Sequence, residues 1–129
     1  MTTTSAAQAS LATAMFTVAD QDAALAFYTD KLGWEVRGDQ RFGADNENRW
    51  LEVAPPGSVA RLALNPPMGG TPGGSSVGVE VDDVLAEHAR LAAVGGIDLD
   101  AEPMQMPGSP VMFSLRDPDG NYIWIVPAR

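Results

Sequence analysis

Apolar and polar positions alternate with period two in several short runs and recur with helical period in two longer ones, which predicts strands and helices in a fixed order. Leu11–Val18 alternates loosely as a strand and runs into Ala19-Asp20, a helix start. From Asp22 on, Ala23, Ala24, Leu25, Phe27, Tyr28 and Leu32 recur at helical spacing, and Gly33 stands where a glycine commonly ends a helix. Trp34–Val36 resumes as a strand. The second half repeats this order. Val77–Val81 alternates as a strand, Asp82-Asp83 opens a helix through Leu85, His88, Leu91 and Ala92, Gly95-Gly96 stops it, and Ile97–Leu99 resumes.

The halves superpose at a constant offset of 63 residues, with Val18 on Val81, Asp20 on Asp83, Tyr28 on Leu91 and Gly33 on Gly96. Further on, the turn Ala54–Ser58 (APPGS) falls on Asp117–Asn121 (DPDGN), and each precedes another strand, Val59–Leu64 or Tyr122–Val126. Such a match predicts an α+β chain built as two tandem βαβββ modules. Module one covers 11–64 and module two 76–127, joined by a Pro/Gly-rich linker at 65–75, with residues 1–10 a loose tail before a single domain at 11–129.

Composition narrows the chemistry. A chain of 129 residues with 45% hydrophobic positions suits one domain with a core of its own. It has no cysteine, which removes disulfides, thiolate metal sites and thiol nucleophiles together, and His88 is its one imidazole. A net charge of −9 opposes binding to nucleic acid or to an anionic membrane surface and leaves a cationic or neutral small molecule as the partner it tolerates best. No stretch approaches the length of a membrane span, and the first ten residues lack the basic and apolar regions of a signal peptide, so a cytoplasmic location is expected. There is no phosphate-binding glycine loop, G-x-S-x-G elbow or H-E-x-x-H pair, and no nucleophile has a histidine to orient it.

The run TVADQDAALAFYTDKLGWEV, the segment VGVEVDDV and the closing FSLRDPDGNYIWIV resemble the vicinal oxygen chelate superfamily of glyoxalases, extradiol dioxygenases and bleomycin-resistance proteins. The resemblance covers residues 11–127 and implies paired βαβββ modules whose curved mixed sheets enclose a cavity, often completed by a second chain, so a homodimer is expected. In metal-using members, the resemblance puts ligands on the first and last strands of each module. Those positions fall here on Thr13, Arg61, Ser76 and Trp124. Neutral hydroxyls bind divalent metals weakly, an indole offers no lone pair, and a guanidinium repels a cation. No metal and no cofactor is therefore expected. His88 lies in a helix between Glu87 and Arg90 and reads as a solvated surface residue, and Asp82-Asp83 reads as helix capping.

Alternation from these four slots points Thr13, Met15 and Thr17 inward on the first strand, Arg61 and Ala63 on the fourth, Ser76, Gly78 and Glu80 on the fifth, and Tyr122, Trp124 and Val126 on the last. Trp50, Phe113, Met68, Met104, Met106 and Met112 are candidates to extend the lining, Trp34 is assigned to the core, and Pro103–Pro110 is either a flap or an irregular connection. Such a lining fits a flat organic guest with a few polar handles. The ligand-binding candidates are Thr13, Met15, Trp50, Arg61, Ser76, Glu80, Phe113, Tyr122 and Trp124. The function expected is metal-independent binding of an aromatic antibiotic or natural product, a drug-sequestering role like that of the bleomycin-resistance branch. The alternative is a lyase or isomerase acting on a small carbonyl compound, with Glu80 as acid/base and Arg61 stabilising an oxyanion. Equally open for Glu80 is an ion pair with Arg61 or Arg49.

Overall fold

The computed structural model describes residues 7–129; part of the expected tail, residues 1–6, lies outside the described residues. Two four-stranded sheets form, each by the same path. The first contains β1 (Thr13–Thr17), β2 (Glu35–Phe42), β3 (Asn48–Ala54) and β4 (Arg61–Asn65) in the order β1-β4-β3-β2. The second contains β5 (Ser76–Val81), β6 (Asp98–Leu99), β7 (Phe113–Arg116) and β8 (Tyr122–Pro127) in the order β5-β8-β7-β6. Only β1/β4 and β5/β8 are parallel. The helices α1 (Gln21–Ala26) and α2 (Val84–Val94) supply the crossovers those parallel pairs require. The fold is α+β with two tandem βαβββ modules, and its sheets are curved without closing.

Both helices start as their sequences dictate. Asp20 and Asp83 have extended backbones, and their carboxylates accept from the N–H groups of Ala23 and Ala86 at 3.1 and 3.0 Å, satisfying donors that the first turn leaves free. The helix expected to run to Leu32 instead widens into a π-helical turn over Phe27–Lys31, closed by Leu32 N–H donating to the Phe27 carbonyl at 3.2 Å. The wider turn lets the adjacent side chains Phe27 and Tyr28 both enter the core. The core joins Phe16, Leu51, Val53, Leu62 and Leu64 of the first sheet to Phe113, Leu115, Ile123 and Ile125 of the second. Positions of opposite parity form the helix-free faces.

The strand ladders correct the ungapped repeat. Thr13 pairs with Arg61, but its counterpart Ser76 pairs with Tyr122, so the last strands correspond at an offset of 61 rather than 63. The expected strand Val59–Leu64 begins two residues late because Val59 and Ala60 bulge outward before Arg61 N–H reaches the Ala12 carbonyl. In module two, Asn121 leads directly into β8. A shift of two leaves every side chain on its expected face.

The linker is irregular, as expected, yet it is anchored. Gly73 N–H donates to the Thr17 carbonyl and hydroxyl, both at 3.0 Å, and Ser75 N–H to Asn121 Oδ1 at 3.1 Å. Gly73 has φ +92°, and a Cβ there would meet the Asp119 carbonyl oxygen, so only glycine fits between the modules.

Candidate functional site

At the junction between modules, the turn Asp117–Asn121 is locked to β1. Asp117 Oδ1 accepts the N–H groups of Asp119 and Asn121, and Oδ2 accepts the Tyr28 hydroxyl at 2.9 Å and Asn121 Nδ2 at 3.0 Å. Asn121 Nδ2 also donates to the Thr17 carbonyl, and Asp119 Oδ1 accepts Ala19 N–H. Burial first, and the Asp117 carboxylate second, push the Tyr28 phenol far above its ordinary value, so it remains a donor. The repeat-related turn Ala54–Ser58 carries no carboxylate. It is held from its own module, by Arg37 donating to the carbonyls of Ser58 at 2.7 Å and Pro55 at 3.1 Å.

Beside this second turn lies a cleft of about 760 Å³. The strands β1 and β5, each the edge of its sheet, contribute Thr13 and Ala14 on one side and Val77–Glu80 on the other. Pro55–Ser58, Ala60 and Arg61 form the rim, and Trp34 forms an apolar wall. Trp34, expected in the core, does pack on Tyr28 at 5.1 Å between ring centroids, but it also faces this opening. A recess of about 390 Å³ continues past Glu80 toward Arg90. Thr13, Arg61 and Glu80 are thus brought to one cleft. Glu80 pairs with neither arginine offered to it, since Arg61 lies 3.8 Å from Glu52 and Arg49 is taken by Asp22 and Asp39.

Tyr122, Trp124 and Ser76 stand apart from the cleft lining, on the helix-free face of the second sheet. Their two rings stack with centroids 6.5 Å apart and planes 24° from parallel. Gly78, the ladder neighbour of Trp124 on β5, leaves that ring without a flanking side chain on that side, and a Cβ at Gly78 would meet nothing within 4 Å. The Arg116 guanidinium sits 5.4 Å from the Tyr122 centroid and is held by Asp98 and Asp100, each at 2.9 Å. Burial pushes the Asp100 carboxyl up, but the donors of Arg116 and Ser114 outweigh it and hold it below the usual carboxylate range. On the first sheet, Met15 is exposed and Trp50 half-buried on the helix-free face, but neither lines the cleft.

Phe113 requires correction as a lining residue. It is fully buried, because alternation along β7 turns Ser114 and Arg116 to the open face and Phe113 into the core, where it meets the His88 ring edge-on. His88 is likewise not a solvated residue: it is half-buried, and its Nε2 lies 2.7 Å from the Asp100 carbonyl. Pro103–Pro110 is an exposed connection whose one strand-like contact is the bridge between Met104 and Met112. Sequence reasoning missed Glu52, 7% exposed, which accepts the Thr13 hydroxyl at 3.0 Å. Period-two counting from Trp50 would have found it.

The donor chemistry of Thr13, Arg61, Ser76 and Trp124 does not fit a divalent cation. Among the described residues, no three His, Asp or Glu side chains gather to offer another set. No helix among them is long and apolar enough to cross a membrane.

A family model described as the glyoxalase/bleomycin resistance protein/dioxygenase superfamily matches residues 10–125. The uncharacterised protein YetH of Bacillus subtilis (strain 168) is 34% identical over 108 residues, 81% of this chain and 86% of that protein. A superfamily member from Sphaerobacter thermophilus DSM 20745 superposes with a TM-score of 0.80 at 30% identity, covering 94% of this chain and 98% of that one. TnmS3, an antibiotic binding protein from Streptomyces sp. CB03234, superposes with a TM-score of 0.74 at 31% identity over 97% of this chain and all of its own. Two βαβββ modules, the repeat and these matches together make this chain a member of the glyoxalase/bleomycin resistance protein/dioxygenase superfamily.

Proposed function

We propose that the chain binds a planar aromatic small molecule without a metal and holds it unchanged, as a sequestering protein for an antibiotic or natural product would. The observation that carries this reading is the stacked Tyr122–Trp124 pair beside the bare backbone of Gly78. Aromatic faces supply contact area at low entropy cost, and a missing neighbour leaves a ring free to stack on a guest. The similarity to an antibiotic binding protein supports the same ligand class. Each helix-free face exposes a large apolar side chain, Met15 on one and Tyr122 on the other, and a second copy of the chain is the natural cover for them, which makes a homodimer part of the proposal. The acidic surface favours a neutral or cationic guest, with Arg61 as a local exception at the cleft.

The test is a titration of the purified protein with a panel of planar aromatic antibiotics and polycyclic aromatics, followed by tryptophan fluorescence and melting temperature. Binding quenches fluorescence and raises the melting temperature in proportion to occupancy. Trp124→Ala should weaken that binding by about ten-fold or more, the worth of one good stacking contact. Ligand recovered chemically unchanged, and equally so from Glu80→Gln, separates binding from the lyase or isomerase alternative in which Glu80 acts as a base. A panel that shifts neither signal defeats the reading.

A further inference from the structure

We infer that Glu52 reads a neutral hydrogen-bond donor on the ligand, a hydroxyl or an amide N–H, from the helix-free face of the first module; this rests on the aromatic-ligand reading above. Glu52 is a carboxylate buried on the helix-free face, beside its likewise buried ladder partner Ala63. Its Oε2 is occupied, accepting the Thr13 hydroxyl at 3.0 Å with Arg61 Nε at 3.8 Å. Its Oε1 accepts nothing among the described residues. That oxygen is directed over Gly38, where a Cβ would stand 3.3 Å away, so the lack of a side chain at this strand position is what leaves it uncovered. Glu52 is largely buried but this oxygen is not enclosed, and a carboxylate oxygen whose lone pairs are left to solvent can exchange water for a donor that fits beside it.

A second acceptor on the same face is also short of a partner. Glu52 pairs across the ladder with Ala63, and two residues along β4, about 7 Å by strand geometry, stands Asn65. Asn65 Oδ1 is buried without a hydrogen bond, a condition that native proteins usually relieve with water or ligand. Two unfilled acceptors on one face ask for donors. Arg61 beside Glu52 makes that pair neutral overall, so a hydroxyl or amide suits it better than an ammonium group.

The second module shows that this is not a property of the fold. Ser114 takes the ladder place of Glu52, pairing with Trp124 as Glu52 pairs with Ala63. Its hydroxyl is fully used, donating to Asp100 Oδ2 at 3.0 Å and accepting from Arg116 at 2.9 Å. At this ladder position, among the described residues, the free acceptor is in the first module, and Thr13 and Arg61, which hold the carboxylate, also line the cleft.

The experiment is a pair of calorimetric titrations with 2-naphthol and its methyl ether, which differ by one donor. Wild-type protein should prefer the naphthol by about ten-fold or more, the worth of a donor bonded to a charged acceptor. Glu52→Gln should cut that preference several-fold while leaving affinity for the ether within about two-fold, because charge assistance is what strengthens the bond. Gly38→Ala, which crowds Oε1 and keeps the charge, should cut it too and decides the matter if Glu52→Gln fails to fold. Equal affinities in the wild type, or an undiminished preference in the deciding variant, overturn the role of Glu52. Binding of neither naphthalene overturns it as well. The antibiotic panel is read separately, so the aromatic-ligand reading stands or falls on its own result.

Discussion

The turns Ala54–Ser58 and Asp117–Asn121 occupy the same place in two copies of one module, yet one opens a cleft and the other seals a junction. In the sealed copy, Asp117 gathers four donors, Asn121 reaches back to Thr17, and Tyr28 completes the bonding from the opposite module. In the open copy, the residue at the place of Asp117 is Ala54, the residue at the place of Tyr28 is Leu91, and two further residues, Val59 and Ala60, push the loop outward. No exotic backbone is involved, since Gly57 and Gly120 turn with φ of +85° and +82°. A duplicated fold can thus leave an opening at one of two equivalent places by removing the polar groups that would close it.

Three substitutions break or sharpen this contrast. Asp117→Ala leaves the Tyr28 hydroxyl and the Asn121 amide without their acceptor in the interior, and should cost about 3 kcal/mol or more. Thermal melting would show that as a midpoint lower by about 10 °C in a domain of this size. Tyr28→Phe removes one donor but leaves Asp117 with its other three, so a loss of about 1–2 kcal/mol in urea unfolding is expected. Should the two variants cost the same, the junction would be closed by the phenol alone rather than by the network. Arg37→Ala frees the carbonyls of Pro55 and Ser58 at the cleft rim, and being half-buried at the surface should cost only about 0.5–1 kcal/mol. Its larger signature should be faster amide exchange confined to the rim around Ser58.

Much of this architecture was legible because it is local. Helix starts at Asp20 and Asp83 follow from a carboxylate able to reach an N–H three residues on, and the strands follow from alternation. What escaped the sequence depended on contacts between distant segments. The outward bulge of Val59-Ala60 is visible only once Thr13 is seen to pair with Arg61 and Ser76 with Tyr122. The π-helical turn follows from the demand that neighbouring Phe27 and Tyr28 share one core. Among candidate site residues, Thr13, Arg61 and Glu80 reach one cleft, and Tyr122, Trp124 and Ser76 share one face. Phe113 was misjudged because its strand, β7, is short and its parity is set only by pairing with β8. Glu52 is not legible from the resemblance because ligands in metal-using relatives come from the first and last strands of each module, and β3 is neither.

The two-residue slip between β4 and β8 bears on how the halves of such a chain can diverge. Gain or loss of a single residue ahead of β4 would exchange its two faces, drawing Arg61 into the apolar interior and expelling Leu62 and Leu64 into water. Gain or loss of a pair only slides the strand along its neighbour by one pleat. Descendants of a duplicated module are therefore free to lengthen this loop in even steps and barred from odd ones, and the size of the mouth beside it becomes a quantity that evolution, or an engineer, adjusts two residues at a time.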